Sequence, residues 1–222
     1  MNLLLLIGLP LLTAVAVLLS RNKQQVKWIA LVGSVAQLAL AFVLFFIYKH
    51  ERETGNATQM LFEQNYPLFK SLNINFHLGV DGISIAMILL TAFVVVAGVL
   101  VSWNIEKMTK EFYFLLLLLG MGAYGFFISL DLFILFFFLE ISVIPKYLLI
   151  GIWGNGRKEY SANKLALMLM GGSALILVGI LGLYFAAGRS FDIMELSKAT
   201  VSLPYQQILF PLLFVGFGVF TA

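Results

Sequence analysis

The sequence predicts an all-α fold, a polytopic transmembrane bundle with about seven helices in view, and three observations carry that prediction. Of its residues 61% are hydrophobic and 11% charged, with a mean hydropathy of +1.00, against about 45–50% apolar and 25% charged in soluble domains. Seven apolar runs recur along the chain, most close to the ~20 residues that cross a bilayer as a helix. Continuous stretches such as Phe112 to Phe127 lack the alternation of a barrel strand, which leaves helices as the way to satisfy the backbone in lipid.

The first run, Leu3 to Leu19, is followed by Arg21, Lys23 and Lys27. Its positive charges lie after the apolar core, unlike a cleaved signal peptide, so it is expected to remain as a first membrane helix. The second runs from Trp28 to Tyr48. A polar connection from Lys49 to about Leu78 carries Leu61, Phe62, Tyr66, Leu68, Phe69 and Leu72, and part of it is expected to lie along the interface as an amphipathic helix. The third run extends from Ile83 to Trp103 and the fourth from Phe112 to Leu130. The fifth, Asp131 to Ile150, follows almost without a loop; the sixth is Lys164 to Ala187. After a second polar connection, Gly188 to Leu203, the seventh runs from Ile208 to Ala222 with no polar flank. That ending predicts a fragment of a longer protein. Two segments are expected: residues 1–78, with two helices and the polar connection, and residues 79–222.

Lysine and arginine set the expected orientation. Arg21, Lys23, Lys27, Lys107, Lys110, Arg157 and Lys158 fall on one side; Lys49, Arg52, Lys70, Arg189 and Lys198 fall on the other, in longer connections. The first residue is therefore placed outside and the end of the seventh run on the cytoplasmic side. With no cysteine and only His50 and His77, a thiolate or histidine metal centre is not expected. The net charge of +3 is scattered without a basic stripe, which argues against a nucleic-acid partner. Gly154-Asn155-Gly156 is a turn without the context of a phosphate loop.

Glu140 is the residue that demands an explanation. It lies near the middle of the fifth run, where an ionisable side chain costs roughly 2.5–3.5 kcal/mol to insert. Such groups usually mark ion or proton routes; the rival is a neutral Glu that bonds a neighbouring helix as a packing device. Pro145, five residues on, is expected to kink the helix near Glu140 and Ile141 and to leave a carbonyl open to water or a side chain. Lys146, about 120° around the helix from Glu140, either faces another polar path or, the preferred reading, snorkels toward the boundary. Lys164 opens the sixth run among the small polar residues Ser161, Ala162 and Asn163, and reads equally as a polar-path residue or an interfacial anchor. Asp131 reads as a carboxylate at a helix N-terminus, and Asp81 as the cap of the third helix. Gly120, Gly122, Ala123 and Gly125, with Gly171, Gly172 and Ser173, mark faces for close helix packing.

Three motifs together resemble a known family. They are His77-Leu-Gly-Val-Asp81-Gly82-Ile-Ser84, then Phe136-Phe-Phe-Leu-Glu140-Ile-Ser-Val-Ile-Pro145, then Trp153-Gly154 with Arg157 and Ala162-Asn163-Lys164. The chain is similar, over nearly its whole length, to the antiporter-like membrane subunits of respiratory complex I, and most to the subunit M or mitochondrial subunit 4 type. The resemblance implies a fourteen-helix subunit of two inverted five-helix repeats, of which this chain holds the first half, with residues 79–222 as the proton-translocating domain truncated in its seventh helix. It implies that Glu140 pairs with a lysine of a broken seventh helix, at or beyond Ala222. It implies, too, that Lys164 belongs to a polar network at membrane depth or on the intake side. NADH, FMN, iron–sulfur clusters and quinone would belong to partner subunits and no cofactor to this chain. Its partners would be neighbouring antiporter-like subunits and the lipid bilayer, in a bacterial plasma membrane. The nearest rival is a subunit of a multisubunit cation/proton antiporter or membrane-bound hydrogenase. A rival of another class is a non-transporting assembly or scaffold subunit in which Glu140 only pins helix packing.

Overall fold

The computed structural model describes residues 2–55 and 58–221, with nothing said of the Thr221 side chain. The helices are α1 (Leu4–Leu19), α2 (Lys23–Glu53), α3 (Gly82–Val101), α4 (Thr109–Ile128), α5 (Leu132–Ile141), α6 (Val143–Trp153), α7 (Lys158–Ala186), α8 (Ile193–Leu196) and α9 (Leu203–Thr221). Among the described residues six spans are long and apolar enough to cross a membrane, Leu132–Trp153 counting α5 and α6 together, and the shorter α1 is the seventh apolar helix. The chain is an integral, multi-pass membrane protein.

Several boundaries move outward from the apolar runs because polar residues continue the helices. Asn22 caps α2 by accepting from the Gln24 amide at 3.1 Å, so α2 begins five residues before Trp28. Asp81 caps α3, accepting from the Ser84 amide at 2.7 Å as expected. The sixth helix begins at Lys158, so Lys164 lies nearly two turns inside α7 and does not open it. Ala222, the end of the expected seventh helix, lies outside the described residues.

The polar connection is corrected more substantially: it forms a hairpin of β1 (Leu61–Phe69) and β2 (Ile74–Val80), with no interfacial helix among its described residues. Pro67 opposes helix in β1. In β2, Ile74, Phe76, Leu78 and Val80 alternate with Asn75, His77 and Gly79, the period of a strand. Asn73, at φ 53°, makes the left-handed turn between them. The short α8 in the second polar connection was not foreseen either; Asp192 caps it, accepting from Met194 N at 2.7 Å.

Two compact units result, one of Met1–Gln64 with Gly79–Ile128 and one of Asn65–Leu78 with Ser129–Ala222. In the first, α1 packs on α4 and α2, and α3 on α2 and α4. A Cβ on Gly33 would meet Thr13 Cγ2, and one on Gly120 would lie 2.9 Å from Val95 Cγ2, so both positions require glycine for helices to approach. Lys23 Nζ donates to the Glu106 carbonyl at 3.2 Å, joining two of the basic connections. In the second unit α6 and α9 pack on α7. Gly172 there faces Val219, while nothing lies within 4 Å of a Cβ on Gly171.

The polar connections assigned to the opposite side meet within the second unit. Leu130 N donates to the His77 carbonyl at 2.8 Å, Leu132 N to that of Phe191 at 2.9 Å, and Ile193 N to that of Leu130 at 2.8 Å. Those bonds bring residues 77, 130–132 and 191–193 together at one end of the second unit.

Candidate functional site

The helix that carries Glu140 is anchored at its start and interrupted just past the carboxylate. Asp131, fully buried, accepts from Phe133 N at 2.9 Å and Ile134 N at 3.2 Å through one oxygen, and from Asn75 N at 3.1 Å through the other. It is the N-terminal cap the sequence suggested. Burial holds its carboxyl above the usual carboxylate value of 3.8, opposed by those three backbone bonds and reinforced by the negative charge of Asp192.

Beside this cap is a cluster the sequence reading missed. His77 Nδ1 lies 2.7 Å from Asp192 Oδ2, and both residues are buried. Asp192 is thus tied to His77 while its other oxygen caps α8. The three residues come from separate segments and share no spacing motif. A usable signal lay in the β2 alternation, since a histidine on the polar phase of a strand needs a partner when that strand is buried.

Ten residues after Asp131 the helix stops. Ser142 keeps helical dihedral angles (φ −77°, ψ −15°), but its amide turns back to Leu139 O at 3.2 Å, a tighter turn, and its hydroxyl donates to the same carbonyl at 2.7 Å. Pro145 has no N–H, so Ile141 O receives no i+4 bond, which is the kink expected from the sequence, sharpened here into a break. Glu140 Oε1, next to that break, is buried and has no hydrogen-bond partner among the described residues. An unpaired carboxylate oxygen at membrane depth is costly to maintain, and its natural partners are a cation, a proton or water.

Glu140 opens into a groove of 870 Å³ lined on one side by Phe137, Ile144 and Tyr147, and on the other by one stripe of α7: Asn163, Ala166, Leu167 and Met170. The walls are apolar except for Glu140 and a hydrogen bond, Tyr147 Oη donating to Asn163 Oδ1 at 3.1 Å. Lys164 is exposed and is absent from the stripe, following Asn163 by one residue and therefore about 100° around the helix. Glu140 and Lys164 do not share this groove. Lys146 is half-buried, with Nζ 5.9 Å from the centre of the Phe220 ring on α9, a cation–π position in place of the expected snorkelling. No group of His, Cys, Asp and Glu fit to hold a metal occurs among the described residues.

Comparison with known proteins places this arrangement. Residues 129–222 match the transmembrane family described as NADH:quinone oxidoreductase/Mrp antiporter. Over 196 residues the chain is 34% identical to the chloroplastic NAD(P)H-quinone oxidoreductase chain 4 of Angiopteris evecta, covering 87% of this chain and 39% of that one. The chain thus spans about two-fifths of the length of that curated relative. In structure it is similar to a chain of respiratory complex I from Thermus thermophilus with bound NADH, with a TM-score of 0.84 at 21% identity, covering 98% of this chain and 43% of that one. It also resembles a chain of the Mrp complex from Dietzia sp. DQ12-45-1b, with a TM-score of 0.78 at 12% identity over 98% of this chain and 23% of the other. The fold is that of the antiporter-like membrane subunits.

Proposed function

We propose that this chain is the first part of a proton-translocating membrane subunit of an NADH:quinone oxidoreductase, in which quinone chemistry elsewhere drives protons through buried Glu and Lys residues. The observation that carries the reading is the buried, unpartnered Glu140 oxygen at the Pro145 break, in a fold of antiporter-like type. Glu140 is the titrating group. The break exposes its neighbour's carbonyl, and the groove gives water or a cationic side chain room to reach both. Lys164, exposed two turns into α7, serves the intake side of the polar network. Residues 79–222 form the antiporter-like domain. NADH, FMN, iron–sulfur clusters and quinone are held by partner subunits, neighbouring antiporter-like subunits flank this one, and the membrane is a bacterial plasma membrane.

The test is proton pumping measured against NADH:quinone turnover in membranes that carry the full-length subunit with Glu140→Gln, and with Glu140→Asp as control. The Gln variant should assemble and lose pumping, about a hundredfold or more by the scale of lost proton-transfer groups, with turnover slowed and the Asp variant active. A Gln variant that assembles, turns over and pumps normally makes Glu140 a packing residue. A second reading, a cation/proton antiporter subunit, is supported by the likeness to the Mrp chain; sodium-driven proton movement without NADH would favour it.

A further inference from the structure

We propose that Tyr147 and Asn163 form the gate through which protons reach Glu140 from the α6–α7 loop, an assignment that rests on the proton-path reading of Glu140. The two side chains stand between two cavities. On one side is the 870 Å³ groove that Glu140 lines. On the other is a smaller cavity of 280 Å³, bounded by Gly151 and Ile152 at the end of α6 and by Glu159 in the first turn of α7. Tyr147, Leu148 and Asn163 belong to both walls. A line drawn inward from the basic loop therefore meets Glu159, the small cavity, the Tyr147–Asn163 hydrogen bond, the groove and Glu140 in that order.

Geometry favours the tyrosine as the relay. It is seven residues beyond Glu140, about 10 Å along a helix axis, and helical side chains lean toward the N-terminus, here toward Glu140. One or two waters bridge what remains. In the structure Tyr147 directs its hydroxyl hydrogen at Asn163 Oδ1, so no hydrogen is offered toward the groove and the path is closed. When the hydroxyl turns away from Asn163, a hydronium in the small cavity gives its proton to the phenol oxygen as the phenol O–H passes its own proton to a water in the groove. That water then delivers a proton to the Glu140 carboxylate. Tyr147 ends neutral, one O–H bond forms for each that breaks, and no charge is left between the ends. Asn163 is the positioning residue, since an amide oxygen can hold the hydroxyl but the side chain does not readily pass a proton on.

Tyr147→Phe keeps the ring and removes the oxygen. In the complete complex with the full-length subunit, coupled turnover should fall roughly a hundredfold, the low end for loss of a proton-transfer group, with the deficit deepening as pH rises and hydronium becomes scarce. The KM for quinone should stay unchanged. Asn163→Ala frees the hydroxyl, and protons pumped per turnover should fall while turnover itself persists. Tyr147→Phe with a wild-type coupled rate at every pH overturns the gate. Should that variant fail to assemble, wild-type coupling in Asn163→Ala overturns it instead. Glu140→Gln run in parallel separates the two readings: if it stalls while Tyr147→Phe is normal, only the gate is wrong, and if both are normal the proton path through Glu140 is wrong as well.

Discussion

Two proline sites in this chain meet the same backbone problem and resolve it oppositely. Pro10, inside α1, deprives Leu6 of its i+4 donor. Gln37 of α2 supplies the missing donor, Nε2 bonding Leu6 O at 3.0 Å, with Gln37 only 2% exposed. α1 runs unbroken through the proline. Pro145 deprives Ile141 in the same way, but no such amide is provided and the helix breaks at Ser142 beside a carboxylate oxygen that has no partner. At Pro10 the neutral Gln37 amide completes the backbone while its own Oε1 stays buried without a partner among the described residues; at Pro145 the residue beside the freed carbonyl is a carboxylate that lines a groove. What separates the two is the chemistry of the neighbour each proline meets, since the backbone lesion is common to both.

The comparison can be broken most forcefully at Gly33, which lets the Gln37 face of α2 approach Thr13 on α1. Gly33→Leu forces the helices apart and should destabilise the full-length subunit by on the order of 3 kcal/mol, read as unfolding in mixed micelles. A loss under a few tenths would mean that the α1–α2 joint is not close-packed. Gln37→Leu should cost about 1–2 kcal/mol by leaving Leu6 O unpaired in an apolar setting. Pro10→Ala in the same chain should restore most of it, because an alanine N–H then fills the i+4 bond. Additive losses in that double-mutant cycle would show that Gln37 is not answering the proline.

At the other site, Pro145→Ala should change stability by less than about 1 kcal/mol, since with the break at Ser142 the proline occupies the first turn of α6, where it is tolerated. It should nevertheless reduce coupled turnover, because a continuous helix closes the Ile141 carbonyl away from Glu140. Unaltered pumping with a helix shown to be continuous would detach the break from function.

At Asp131 the effect is expected on stability alone. Asp131→Ala should cost about 1 kcal/mol as a lost cap, whereas Asp131→Asn retains an acceptor. Burial raises the folded carboxyl above 3.8, so the folded state holds the proton more tightly than the unfolded one. That contribution is fully present below pH 3.8 and is lost as pH rises through the raised value, and the Asn variant should flatten this part of the stability–pH curve. An unchanged curve would place the titration elsewhere.

The helices and the importance of Glu140 were legible because both follow from transfer free energy. Long apolar runs have no other home than the bilayer, and a carboxylate inside one stands out against its neighbours. Caps at Asp81 and Asp131 were legible for a similarly local reason, as the capping oxygen of each reaches only two or three residues along the chain. Relations between segments were not. The His77–Asp192 pair joins residues 115 apart, Gln37 answers a proline 27 positions earlier, and Lys164 turns away from the groove because it lies about 100° around α7 from the Asn163 stripe that α6 meets. The hairpin was legible in principle from the alternation in β2, but its aromatic and aliphatic residues also fit an interfacial helix. The sequence by itself therefore determined the membrane class and singled out Glu140, since both rest on the transfer free energy of residues that are neighbours in the chain. The tertiary structure alone decided which freed carbonyl is filled, which is left open, and that Tyr147 and Asn163 stand before Glu140, because directional hydrogen bonds depend on where a second helix places its side chains.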